Sequence, residues 1–185
     1  MKIVVAEKVA PSSLAVFKEQ SDWTVVTPEK DALAAELAEA DALLVRSAVF
    51  VDAAMMDKAP KLRVIGRAGV GVDNIDLDAA TKRGICVMNT PGGNAIAVAE
   101  HTLALMLALA RHLTRADATT HAGKWEKKSL QGTELRAKAL GIVGLGKVGM
   151  EVAKRAQSFG MKVVAHDPFV AASLAQQLQI TLGAL

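Results

Sequence analysis

Three glycines and an acid carry the strongest chemical signal in the sequence. In "LGIVGLGKVGMEVAKRAQSFGMKVVAHDP", residues 140–168, an apolar run reaches Gly144, Gly146 and Gly149, continues at helical spacing and closes on Asp167. A helix N-terminus presents free N–H groups and a partial positive charge, so it attracts anions. Gly144 permits a tight turn out of a strand, Gly146 lets the backbone approach a phosphate, and Gly149 lets the helix pack against the sheet. Val148, Val152, Ala156 and Phe159 recur at helical spacing, which predicts one buried face. Asp167 follows a second apolar run, at the place where a carboxylate accepts hydrogen bonds from the adenosine ribose hydroxyls of a dinucleotide. That carboxylate would repel a 2′-phosphate, and "HDPFV" offers no arginine to receive one, so NAD is favoured over NADP.

A second glycine-rich stretch has a different use. In "GRAGVGVDN", Gly69 and Gly71 lack a third partner, because Asn74 stands where that glycine would fall. What remains is a turn with free N–H groups beside Arg67, suited to a small anion such as a carboxylate. Arg46, in "LLVRSA", ends another apolar run. If both runs are parallel strands, Arg46 and Arg67 share one sheet edge, and two cations there suit a substrate with more than one negative group. The competing reading makes them surface arginines paired with carboxylates.

The remaining reactive side chains suggest no catalytic residue and no metal site. His101 reads as a hydrogen-bonded core or interface group, and His112, His121 and His166 lack an acid at a spacing that suggests a triad or a metal. Cys86 reads as a small buried hydrophobe within a strand. "GKWEKK" reads as a solvated charge cluster around an aromatic anchor.

The elements that must position these residues follow a rhythm. Short β-branched runs alternate with Ala-rich segments through about five strands before Pro91, which predicts an α/β fold with a mostly parallel sheet. The rhythm then breaks. Asn94 is placed to cap a helix running from Ala95 to about Ala118, apolar on nearly all sides over its middle turns and therefore enclosed between domains or against another subunit. A second pattern begins at Leu140: a strand at "ALGIVGLG", a helix from about Lys147 to Phe159, a stop at Gly160 and a strand at "KVVAHD". The expected domains are 1–92 and 93–185.

Composition bounds the rest. The 185 residues are 51% hydrophobic and 22% charged, with a net charge of +3 and a single cysteine, which fits a globular chain without an internal disulfide. No basic stripe interleaved with aromatics argues for nucleic acid, and the strongest apolar run is too short to span a bilayer. "MKIVVAE" reaches Glu7 before a signal-peptide core forms, so the cytoplasm is expected.

Taken together, "LRVIGRAGVGVDNIDLDAATKRGICVMNTPGGN", "AEHTLALMLALAR", "GKWEKK" and the 140–168 stretch resemble the NAD-dependent D-2-hydroxyacid dehydrogenases, and among them those acting on 3-phosphoglycerate. The resemblance runs from about Lys2 to Phe169. It implies a flavodoxin-like parallel-sheet substrate domain followed by the first half of a Rossmann dinucleotide-binding domain. It also implies oxidation of 3-phosphoglycerate to 3-phosphohydroxypyruvate in serine synthesis, NAD as cofactor, and a homo-oligomer built through helix 95–118. Arg46, Ser47, Arg67 and Gly69 match the family's substrate-anion positions. Val70, Lys147, Val148 and Asp167 match positions that touch NAD, alongside Gly144, Gly146 and Gly149. Lys127 falls where such enzymes often carry an arginine that reaches a neighbouring subunit's substrate phosphate; lysine keeps the charge and loses the fork.

No residue here matches the family's substrate-binding arginine, its proton-transferring histidine or the glutamate that orients it. The expectation is a chain that does not turn over alone, binds ADP nearly as well as NAD, and self-associates through an open sheet edge and apolar face. Two alternatives stand beside this reading: a glyoxylate or hydroxypyruvate reductase, and a non-catalytic NAD-binding or oligomerisation module.

Overall fold

Runs rich in Val and Ile form the strands and Ala-rich segments form the helices, because β-branched side chains suit a pleated surface and Ala suits a helix. The computed structural model describes all 185 residues, in two compact units, Met1–Gly93 and Asn94–Leu185.

The first unit alternates β1 (Lys2–Val5), α1 (Pro11–Lys18), β2 (Thr24–Val26), α2 (Leu33–Leu37), β3 (Ala42–Val45), α3 (Ala53–Asp57), β4 (Val64–Arg67), α4 (Leu77–Lys82) and β5 (Cys86–Met88). Every strand pair is parallel, in the order β2-β1-β3-β4-β5, which is the flavodoxin-like arrangement. Asp52 and Asp76 start α3 and α4 by accepting the N–H groups of Met55 and Ala79, each at 2.8 Å. Val4, Leu43, Val45 and Ile65 of the central strands pack with Leu33, Leu37, Met56 and Ala79. Each Val, Leu, Ile or Met side chain among them contributes about 1.5–3 kcal/mol on burial. Val45 lies opposite Arg67 in the β3–β4 register, so the segments leaving these two strands emerge side by side. Cys86 is exposed on the edge strand β5, which corrects its expected burial.

The second unit contains α5 (Ala95–Ala110), α6 (Leu113–His121), β6 (Ala139–Val143), α7 (Lys147–Ser158), β7 (Lys162–His166), α8 (Ala172–Gln177) and β8 (Thr181–Leu182). The strands pair in parallel in the order β6-β7-β8, one half of a doubly wound nucleotide fold. Gly160, at a left-handed φ of 72°, lets the chain leave α7 and enter β7. Leu145, Ala153, Ala156, Met161, Val163 and Ala165 form the core beneath the sheet.

The continuous helix expected over 95–118 is two helices. His112 adopts a left-handed φ of 54°, and α5 and α6 meet at a 63° bend. The last carbonyl of α5 is captured from a distance: Thr133 donates its N–H to the Ala110 oxygen at 2.8 Å. Within its own unit α5 is covered on one side. It buries only Ala95, Ala99 and Leu103, one residue per turn, the last two against Val152 of α7, and leaves Ile96, Leu105 and Leu109 open. Asn94 precedes it without a side-chain cap. No single helix is long and apolar enough to cross a membrane.

Three smaller expectations also change. Phe159 is exposed, and Ala153 takes its place on the buried face of α7 with Val152 and Ala156. His101 is exposed on α5, so it is not a core group of this chain. Trp125 is 87% exposed and anchors nothing within the chain.

Candidate functional site

The glycine turn and the acid meet at the C-terminal edge of the β6–β7 pair. The ladder between these strands ends with Val143 opposite His166, and Gly144 extends it by one step, donating its N–H to the His166 oxygen at 2.8 Å. At the next residue the pairing passes from backbone to side chain. Leu145 donates its N–H to Asp167 Oδ2 at 2.7 Å, and Phe169 donates to Oδ1 at 2.8 Å. These two donors, Phe169 first, hold the Asp167 carboxyl below its usual value of 3.8 against a partial desolvation that pushes it up.

Each glycine has a separate steric account. Gly144 turns at a φ of 91°, which L side chains rarely adopt. A β-carbon on Gly149 would collide with the Gly144 carbonyl oxygen and stand 3.3 Å from Ile142 Cγ2, so this glycine lets α7 lie against the turn. A β-carbon on Gly146 would meet no atom of the chain. Gly146 precedes α7 with extended backbone and no side-chain cap, so the helix start has an open approach and a positive end. Lys147 and Val148 form its first turn. An uncapped helix start, an unfilled space over Gly146 and an ionised acid at the turn are the features a dinucleotide diphosphate requires, and the residues present fit NAD.

The second cluster lies at the same kind of edge in the first unit. Arg46 and Ser47 follow β3 and are exposed; Arg67 ends β4 with its side chain only 11% exposed. Arg67 Nε donates to Asn74 Oδ1 at 2.9 Å, and its Nη2 lies 3.8 Å from Asp73 Oδ1. Gly69 and Gly71 make room for this guanidinium: β-carbons there would stand 2.6 and 3.5 Å from Arg67 Nη1. Gly69 accepts the Thr90 N–H at 2.9 Å, and Val70, exposed beside it, accepts from Asn89 Nδ2 at 2.6 Å.

Glu7 supports the Arg46 turn from below. Its Oε1 accepts the N–H groups of Arg46 at 2.8 Å and Val49 at 3.0 Å, and its Oε2 accepts that of Ala48 at 3.1 Å. Partial desolvation pushes the Glu7 carboxyl up, but the three donors outweigh it and hold the group below 4.5. Three amides of this turn are therefore spent on the protein itself, and Ser47 keeps its N–H and hydroxyl.

The model of the D-isomer specific 2-hydroxyacid dehydrogenase catalytic domain matches residues 3–182. The chain belongs to this family. D-3-phosphoglycerate dehydrogenase of Mycobacterium tuberculosis H37Rv is 48% identical over 185 residues, covering 99% of this chain and 35% of the relative. The enzyme of that name from Archaeoglobus fulgidus is 46% identical, covering 98% and 35%. That from Sus scrofa is 54% identical over 142 residues, covering 77% and 27%. The chain thus spans about a third of the length of the curated relatives it matches. Among solved structures, a Thermus thermophilus protein superposes with a TM-score of 0.84 at 33% identity, over 100% of this chain and 65% of the other. D-lactate dehydrogenase of Aquifex aeolicus, crystallised with NAD and lactic acid, gives 0.84 at 26%, over 100% and 56%.

Within this 2-hydroxyacid dehydrogenase chain, sequence reasoning missed two site-building residues. Glu7 figured only as a charge near the start and Asn74 only as the absent third glycine. An acid two residues beyond the first strand, and an amide one turn beyond "GVG", were the available signals. One histidine departs from its expectation: His121 Nδ1 lies 3.3 Å from Asp117 Oδ1, one helical turn away on the exposed surface of α6. Both side chains are largely in solvent, so the pair encloses no substrate. Lys127 starts a short 3₁₀ turn, Lys127–Leu130, beside Trp125.

Proposed function

We propose that these residues supply the substrate-anion loops and the adenosine-diphosphate part of the NAD site of a dehydrogenase that oxidises 3-phosphoglycerate to 3-phosphohydroxypyruvate. The observation that carries the reading is the meeting of Asp167 with the three-glycine turn through the Leu145 N–H. It sets an ionised acid beside an uncapped helix start, so a diphosphate on α7 brings its adenosine ribose to the acid. The relatives named above, which act on 3-phosphoglycerate by name, support the substrate.

Bound NAD would accept the hydride that leaves the substrate's secondary alcohol. The α7 start and Gly146 receive the diphosphate, Asp167 accepts from the ribose hydroxyls, and Lys147 and Val148 line the entry. Arg46, Ser47, Arg67 and Gly69 receive the substrate's negative groups. Oxidising an alcohol at neutral pH also needs a base for its proton. None of the four histidines stands in an enclosed site with an acid, and the role proposed for this chain is binding. The open apolar residues of α5 support a homo-oligomeric assembly, and serine synthesis in the cytoplasm is the corresponding role.

Calorimetric titration of this chain with ADP, NAD, NADP and 3-phosphoglycerate tests the reading. ADP should bind within about tenfold of NAD, and NADP more weakly than either. A chain that binds NAD a hundredfold more tightly than ADP, or NADP as tightly as NAD, contradicts it.

A further inference from the structure

Asn74 is 3% exposed and is the one polar residue buried in the chain. A carboxamide offers two donor hydrogens and an acceptor oxygen, and here all are used. Nδ2 donates to the Arg46 carbonyl at 2.9 Å and to the Val49 carbonyl at 2.7 Å, while Oδ1 accepts from Arg67 Nε at 2.9 Å. Its backbone is fixed as well, since the Asn74 oxygen accepts the Val51 N–H at 2.8 Å. One planar group therefore joins the turn after β3 to the guanidinium at the end of β4.

Glu7 and Asn74 divide the Arg46 turn between them. The carboxylate satisfies N–H groups at 46, 48 and 49, and the amide satisfies carbonyls at 46 and 49. Ser47 remains for a ligand, as does the Arg46 head apart from one long bond from its Nη1 to the Lys8 carbonyl at 3.4 Å. On the other side, engaging Arg67 through Nε leaves Nη1 and Nη2 as the donors that can meet an anion. Without the Asn74 oxygen the guanidinium would be free to swing toward Asp73, the exposed acid already 3.8 Å away.

We infer that Asn74 is a positioning residue that fixes the separation of Arg46 and Arg67, and so selects substrates carrying two negative groups at a set distance. The inference deepens the proposed function and rests on its placement of the substrate anions. A rigid amide outperforms two independent arginines because the geometry is set before the ligand arrives.

The test compares 3-phosphoglycerate, which spans both arginines, with inorganic phosphate, which needs only one. In nitrogen-resolved NMR titrations of the unsubstituted chain, the amides of Ser47 and Gly69 and the Asn74 side-chain NH₂ should shift together with 3-phosphoglycerate. Asn74→Ala should lose 3-phosphoglycerate affinity tenfold or more while phosphate affinity stays within threefold, and ADP affinity in the second unit should not change. Equal losses for both anions, or no loss for either, overturn the inference. If Asn74→Ala does not fold, the unsubstituted chain still decides: Ser47 and Gly69 amides that shift without the Asn74 NH₂ overturn it. No shift at either loop overturns the substrate reading itself and this inference with it, whereas unaltered selectivity in Asn74→Ala overturns the inference alone.

Discussion

The Leu145 N–H donates to Asp167 Oδ2 at 2.7 Å, so the acid that ends one strand is tied to the middle of the glycine turn that ends its neighbour. The carboxylate accepts the N–H groups of Leu145, Phe169 and Val170, and two oxygens with about four lone-pair sites keep capacity for a ligand hydroxyl. The tie also orients them before any ligand is present.

Asp167→Ala removes both the acceptor proposed for the ribose and the tether for the turn. Hydrogen bonds to a charged group are worth about 1.5–3 kcal/mol, roughly ten- to a hundredfold in affinity. NAD and ADP should weaken by that factor in calorimetry, and NADP by less, since its 2′-phosphate loses a repulsion at the same time. Equal losses for NAD and NADP would count against the ribose role.

The two glycines flanking the Lys147–Val148 pair should separate binding from stability. Gly146→Ala adds a methyl group that meets no atom of the chain, so the melting temperature should stay within a degree or two while ADP affinity falls at least tenfold. Gly149→Ala forces a methyl group against the Gly144 carbonyl and Ile142. Overpacking of this kind costs about 1–3 kcal/mol, which should lower the melting temperature by several degrees. A Gly146→Ala chain with undiminished ADP binding would remove the diphosphate from the α7 start.

Much of this arrangement is written in local sequence, and the exceptions share a cause. The alternation of β-branched and Ala-rich runs foretells five strands, and the glycine spacing foretells α7, because each depends on neighbours a few residues apart. The break at His112 has no glycine or proline to announce it; the Ala110 carbonyl is held by Thr133, more than twenty positions away. Glu7 and Asn74 act across 39 and 28 residues on Arg46. Such contacts arise only when the parallel sheet sets the strand ends side by side. The two-residue β8 is too short to show any period.

Two of the depressed carboxyls, Glu7 and Asp167, make a pH prediction with a definite sign. A group whose folded pKa lies below its unfolded value adds stability that is present above the unfolded value and is lost as pH falls through the folded one. For Glu7 the unfolded reference is 4.5 and for Asp167 it is 3.8, and both are lowered in the fold. Carbon-detected NMR titration should therefore give midpoints below 4.5 and below 3.8. The Arg46 and Val49 amides should follow the Glu7 curve, and the Leu145 and Phe169 amides the Asp167 curve. Glu7→Gln should flatten the first pair and leave the second untouched. A midpoint at or above either reference would mean that the N–H donors do not hold that carboxylate.

The open side of α5 gives the last prediction. Leu105 is 52% and Leu109 78% exposed, while the residues that fasten α5 to α7 lie on its other side. An exposed apolar stripe of this kind marks an association surface. Leu109→Glu sets a charge where a second copy would exclude water, at a position that contributes little to this chain's own packing. In analytical ultracentrifugation the unsubstituted chain should sediment as an oligomer and the variant should shift toward monomer, with a circular-dichroism melting curve measured at low concentration unchanged to within about 0.5 kcal/mol. An unsubstituted chain that remains monomeric at millimolar concentration would leave α5 without its assembly role.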